Sequence, residues 1–286
     1  MIKIEQLTKC YGDFRLNVSM EVPEGRVTGL VGKNGAGKST TIKAILGLIR
    51  PDGGSVKVLG VEASDMTAGD RARLGVALSD SGFNSGLSVS DIGKILKKSY
   101  RDFDEQRFLA ACRDQGLPVN KVIKTFSTGM KAKLRVLTAL SHDADLLILD
   151  EPTAGLDVEA RNEILDILRD YLARNEKRSM LITSHIATDL EGICDDVYLI
   201  HQGRILLHED TDVILSDYGV IKGDEETYEK LDKRYLLTTR KEGPVYKCLT
   251  RERAFYTENY PGLIVENGGI DDLILMMTGD NYERIV

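Results

Sequence analysis

The chain of 286 residues is 42% hydrophobic and 29% charged, which supports one large globular domain with a smaller companion and excludes a disordered chain. Its 38 Lys and Arg against 45 Asp and Glu leave a net charge of -7, which argues against a protein that coats nucleic acid or anionic lipid nonspecifically. The start "MIKIEQLTKC" lacks the apolar centre of a signal peptide, and runs such as "LLIL" and "LILMM" fall far short of the roughly 20 residues of a membrane span, so a membrane role is expected only through a partner.

In chain order, "RVTGLV" reads as a strand and "KAILGLI" as part of the helix that follows it. Residues 88–140 carry little strand signal and three helical stretches, "SDIGKILKKSY", "DEQRFLAACRDQ" and "MKAKLRVLTALS", and read as an inserted helical subdomain. The alternation then resumes: "LLILD" before "VEARNEILDILRDYLAR", and "SMLITS" before "ATDLEGI". Strand followed by helix, repeated, predicts an α/β fold with a parallel sheet. "DVYLI", the turn "HQG" and "RILLH" predict a closing hairpin. Beyond about residue 210 the composition changes, because seven of the eleven tyrosines lie there. "YLLTT" and "VYKCL" around "RKEGP" predict a second hairpin, and a helix is expected from about Ile270. The division is therefore 1–212 for the large α/β domain and 213–286 for a small α/β accessory or dimerisation module. The apolar "LILMM" in its last helix serves either a second subunit or partner protein, or packing on its own domain. Cys10, Cys112, Cys194 and Cys248 form no C-x-x-C pair and are expected to be buried free thiols, as suits a reducing cytoplasm.

The chemistry is concentrated in "VGKNGAGKST", residues 31–40, where Gly32, Gly37, Lys38 and Ser39 fit G-x-x-x-x-G-K-[ST] between a strand and a helix. The glycines let the backbone N–H groups of Asn34, Gly35 and Gly37 turn toward phosphate, with Lys38 on the β- and γ-phosphates and Ser39 and Thr40 at the helix start. A nucleoside triphosphate is the ligand this implies, with Ser39 holding Mg²⁺. In "LLILDEP" the buried strand ends at two carboxylates: Asp150 is expected to hold the water shell of Mg²⁺, and Glu151 to polarise an attacking water.

With these motifs in this order, residues 1 to about 210 resemble the nucleotide-binding subunits of ABC transporters. The resemblance implies an ATPase with the P-loop NTPase cassette fold, and it assigns further residues. "AGLD", residues 154–157, looks like the family's D-loop and brings in Asp157; His185 in "LITSH" matches its switch histidine. "FSTGMKAKL" stands at the signature that caps the ATP of the opposite subunit, with Ser127 and Gly129 retained and Phe126, Thr128 and Met130 departing from the commonest form. Tyr11 in "CYGDF" stands where the family stacks an aromatic on adenine. Ser79, followed by Asp80, stands where the family has a glutamine. Either one of these two replaces that magnesium ligand, or neither touches metal and the loop serves only as a contact with the membrane subunit.

The resemblance reaches furthest toward ATPases of bacterial ABC-2-type exporters for antimicrobial peptides and drugs, such as bacitracin-resistance and phenol-soluble-modulin exporters. It implies a homodimer on a separately encoded permease at the cytoplasmic face of the membrane, with ATP and Mg²⁺ as cofactors and no nucleic acid. Two other classes fit less well. A soluble ABC-type ATPase acting on DNA or ribosomes usually has two cassettes or a long coiled coil, and a P-loop GTPase needs N-K-x-D where this chain has "NKVI" at residues 120–123.

Overall fold

The computed structural model describes residues 1–80 and 82–279, together with the backbone of Glu283–Arg284. Ten strands form the larger sheet: β1 (Ile2–Tyr11), β2 (Phe14–Val22), β3 (Val27–Val31), β4 (Gly53–Val58), β5 (Val61–Glu62), β6 (Leu74–Ala77), β7 (Leu146–Asp150), β8 (Ser179–Ser184), β9 (Asp196–His201) and β10 (Arg204–Asp210). Their spatial order is β5-β4-β1-β2-β10-β9-β3-β8-β7-β6. The half from β9 to β6 is parallel, and β3, β7 and β8 are buried along their whole length, as parallel strands covered by helices on both faces require. β9 and β10 form the expected hairpin.

Beyond that hairpin, β10 meets β2 in a short parallel contact, and β1, β2, β4 and β5 form an antiparallel part that the sequence reading did not predict. β1 pairs with β2 and with β4, and β2 alternates strictly between buried and exposed residues in "LNVSMEV". That period of two is a half-buried strand pattern, legible in principle but passed over beside the stronger β-then-α signal.

Helices cover both faces: α1 (Lys38–Ile45), α2 (Ala68–Arg71), α3 (Val89–Ser99), α4 (Glu105–Asp114), α5 (Thr128–Leu140), α6 (Val158–Leu172) and α7 (Ala187–Glu191). One apolar core lies between the sheet and α1, with Ile2, Leu30, Ile42, Ile148 and Ile200 inside it. On the other face a second core joins β3, β7 and β8 to the three helices α3, α4 and α5 inserted between β6 and β7. Ser88 begins α3 with a capping box to Asp91, which explains why the insertion turns helical there.

After α8 (Thr211–Asp217) the chain builds a smaller sheet from β11 (Gly219–Gly223), β12 (Leu236–Glu242), β13 (Val245–Thr250), β14 (Ile264–Asn267) and β15 (Glu283–Arg284), in the order β14-β11-β13-β12-β15. The hairpin expected around "RKEGP" is β12–β13. α9 (Glu225–Lys230), α10 (Arg253–Asn259) and α11 (Ile270–Met277) flank it. Of the two roles open for "LILMM", packing on the chain's own domain is the one observed: Ile270, Leu273 and Met276 are buried in the core that also holds Ala187 and Leu190 of α7. Leu275 stays 46% exposed. Of the four cysteines three are buried as expected, but Cys10 is exposed, because it falls on an outward position near the end of β1.

Candidate nucleotide-binding and hydrolysis site

β3 ends at Val31, and the loop that follows must turn sharply in a crowded place. A Cβ on Gly32, whose φ is 156°, would lie 2.2 Å from the carbonyl oxygen of Ile200. Gly37, at φ 119°, is the N-cap of α1, and a Cβ there would lie 2.7 Å from Leu16. Only glycine satisfies both positions. Lys38 is 6% exposed; its ammonium donates to the Gly32 carbonyl at 2.7 Å and lies 3.3 Å from Glu151 Oε1.

β7 delivers Asp150 and Glu151 to the same place. Asp150 is 3% exposed, so its carboxylate must be satisfied by protein groups, and three hydroxyls do this. Ser39 and Ser79 donate to Oδ2 at 3.1 and 2.8 Å, and Thr183 donates to Oδ1 at 2.7 Å. Thr183 also accepts the Glu151 N–H at 2.9 Å, and Glu151 has a φ of 50°, rare outside glycine. Strain of this kind persists only where the surroundings hold it, and it aims the Glu151 side chain between Lys38 and His185. His185 Nδ1 is 2.5 Å from Glu151 Oε2, which also accepts the His185 N–H at 3.3 Å.

Tyr11, Asn34, Gly35, Gly37, Lys38, Ser39, Thr40, Ser79, Glu151 and His185 all line one cleft of about 530 Å³. Tyr11 stands at its rim, 49% exposed, with Lys9 5.6 Å from the ring centroid. Phe14, Lys33, Ala36 and Ala154 line the cleft as well, and together with Thr183 they are residues to which the sequence reading gave no role. Thr183 was within reach of it: "LITSH" ends a buried strand, two residues before His185.

Ser127, Gly129 and Asp157 are not brought to that cleft. They line a separate one of about 460 Å³ that shares none of its residues. Ser127 caps α5 by accepting the Met130 N–H at 3.2 Å, and Asp157 caps α6 by accepting the Ala160 N–H at 2.8 Å. Asp80, one residue past Ser79, pairs instead with Lys43 at 2.8 Å. That hydrogen bond and ion pair hold the Asp80 carboxyl below its ordinary range.

A glycine loop opening a helix, a lysine inside it, and an aspartate and glutamate at the end of a parallel strand two places away define a P-loop nucleoside triphosphatase. Residues 16–154 match the model of the ABC transporter family. The lantibiotic transport ATP-binding protein SrtF of Streptococcus pyogenes is 34% identical over 216 residues, covering 74% of this chain and 92% of that protein. The linearmycin resistance ATP-binding protein LnrL of Bacillus subtilis (strain 168) is 28% identical over 98% of both chains. A solved ATP-binding subunit of an ABC transporter superposes with a TM-score of 0.66 at 26% identity, covering 75% of this chain and 91% of that one. The chain belongs to the ABC transporter family, as an ATP-binding ATPase subunit. No helix among the described residues is long and apolar enough to cross a membrane.

Proposed function

We propose that this chain is the energy-coupling ATPase of an exporter for an amphipathic or antimicrobial peptide or a drug. It sits at the cytoplasmic face of the membrane on a separately encoded ABC-2-type permease. Relatives named for lantibiotic transport and linearmycin resistance support the cargo class. Residues 1–212 act as the ATPase, and residues 213–286 as an accessory module.

The observation that carries the chemistry is Glu151 held between Lys38 and His185. Arriving β- and γ-phosphates compete for the Lys38 ammonium and take it from Glu151. The freed carboxylate then accepts a proton from a water as that water attacks the γ-phosphorus, and ADP departs with its bond electrons. His185 keeps the carboxylate aimed. Ser39 and Asp150, hard oxygen donors on one 3.1 Å contact, fit Mg²⁺ with Asp150 acting through water. That ion, when bound, offsets phosphate charge. Tyr11 stacks on the base from the rim of the cleft. In a homodimer Ser127, Gly129 and Asp157 of one chain close the cleft of the other, in keeping with their lining a separate cleft within one chain.

Coexpression with a neighbouring multi-span membrane protein, followed by purification in detergent, tests the transporter reading. The two copurify and the ATPase rate rises in the complex; a chain that neither binds that protein nor responds to it contradicts the reading.

A further inference from the structure

Among the described residues, the last helix, α11, contacts Lys33 of the P-loop at one end and, at the other, the far end of α7, the helix that follows His185. At its start, the N–H of Ile270 donates to Glu191 Oε1 at 2.9 Å, and Glu191 is the last residue of α7, the helix that begins two residues after His185. At its end, the carbonyl of Thr278, the C-cap of α11, accepts from the Lys33 ammonium at 2.9 Å, and Lys33 lines the nucleotide cleft. Both contacts match the helix dipole, with a carboxylate at the positive end and an ammonium at the negative one. Between them Ile270, Leu273 and Met276 pack in one core with Ala187 and Leu190, which joins α11 to α7 by close-packed apolar contact. α7 is in turn tied to the loop after β7, where Thr153 donates to Asp189 at 2.6 Å, and to α6 through Arg161, 3.7 Å from the same carboxylate.

We propose that α11 is a strut that fixes α7, and through it His185, against the P-loop, and that Glu191 is a positioning residue for ATP hydrolysis. This rests on the reading of the cleft as the ATP site. Lys33 is shared between the cleft and the Thr278 carbonyl. A nucleotide phosphate that draws the ammonium away weakens the lower contact of the strut, and the coupling is reciprocal: a strut held at Glu191 resists the shift.

Two measurements on the full chain test the proposal. The first needs no variant: hydrogen exchange across residues 270–278, with and without a non-hydrolysable ATP analogue. Exchange there changes by about threefold or more, although these residues flank the cleft rather than form it. The second compares Glu191→Ala with Glu191→Gln, whose amide oxygen still accepts from Ile270. Alanine lowers kcat about three- to tenfold with KM for ATP within about twofold, and glutamine restores most of the loss. Indifference of residues 270–278 to bound nucleotide, or an unchanged kcat in Glu191→Ala, overturns the strut. A Glu191→Ala chain that loses kcat without rescue by glutamine reports general damage and also counts against it. Binding of a fluorescent ATP analogue is measured alongside: a chain that binds ATP while α11 stays indifferent refutes only the strut, and one that binds none refutes both readings.

Discussion

Glu151 and His185 are joined by a hydrogen bond of 2.5 Å between Oε2 and Nδ1, the tightest contact of the candidate site. Its other carboxylate oxygen faces Lys38 at 3.3 Å. The group proposed to take the proton from water is thus held on both sides before any nucleotide arrives. Replacing it by glutamine keeps the shape and removes the base. Glu151→Gln is expected to lower kcat by about a hundredfold or more, with ATP affinity within about threefold, as read by phosphate release and nucleotide titration. Turnover near the unaltered rate places the base elsewhere.

Lys38→Ala acts at the other end of the same contact. It removes a charge aimed into the cleft, and charge-assisted bonds to phosphate contribute about 1.5–3 kcal/mol. ATP affinity is expected to fall about tenfold to a hundredfold, measured by calorimetry. Retained affinity contradicts the phosphate assignment.

Ser79 and Asp80 separate cleanly in the structure. Ser79 donates to Asp150 at 2.8 Å, whereas Asp80 is committed to Lys43. Ser79→Ala is expected to raise the Mg²⁺ concentration for half-maximal ATPase activity about two- to fivefold, since it frees one of the hydroxyl contacts that orient Asp150. Asp80→Asn leaves that value within about 1.5-fold, because its exposed carboxylate is paired with Lys43 and has no contact with Asp150. A shift in the second variant and none in the first reverses the assignment.

The thiols test the packing of two cores, the one against α3, α4 and α5, which holds Cys112 and Cys194, and the one under the small sheet, which holds Cys248. Burial pushes Cys112 up to about 12 and raises Cys194 and Cys248 as well, so all three stay protonated at pH 8. Cys10 is exposed. One thiol per folded chain is expected to react quickly with Ellman's reagent at pH 8, and four after denaturation. Cys10→Ser removes the fast one; a fast phase that survives it shows that one of the cores is open.

Much of this site was legible in the sequence because its parts are covalently close to strong local signals. Lys38 follows a glycine loop that no other residue type fits, and Asp150 and Glu151 end an apolar run long enough only for a buried strand. What escaped the reading depends on partners far along the chain. Thr183 matters because β8 lies beside β7, and Lys33 matters because α11 returns to the P-loop from 245 residues away. The antiparallel strands β1, β2 and β4 were missed for another reason: an alternating strand such as β2 shows about half as many apolar residues as a buried one, and its partners are set by tertiary pairing. The position of "LILMM" on α7 is also invisible locally, since an apolar helix face does not name what covers it.

The central claim is that hydrolysis needs two chains, one supplying Glu151 and the other Ser127 and Gly129. Light scattering of the Glu151→Gln chain with saturating ATP and Mg²⁺ tests this most directly. The account predicts that the 31.7 kDa chain doubles in mass with ATP, remains single with ADP, and fails to double once Ser127→Arg blocks the second cleft. A chain that stays single at saturating ATP, or that pairs regardless of nucleotide and of Ser127→Arg, contradicts it.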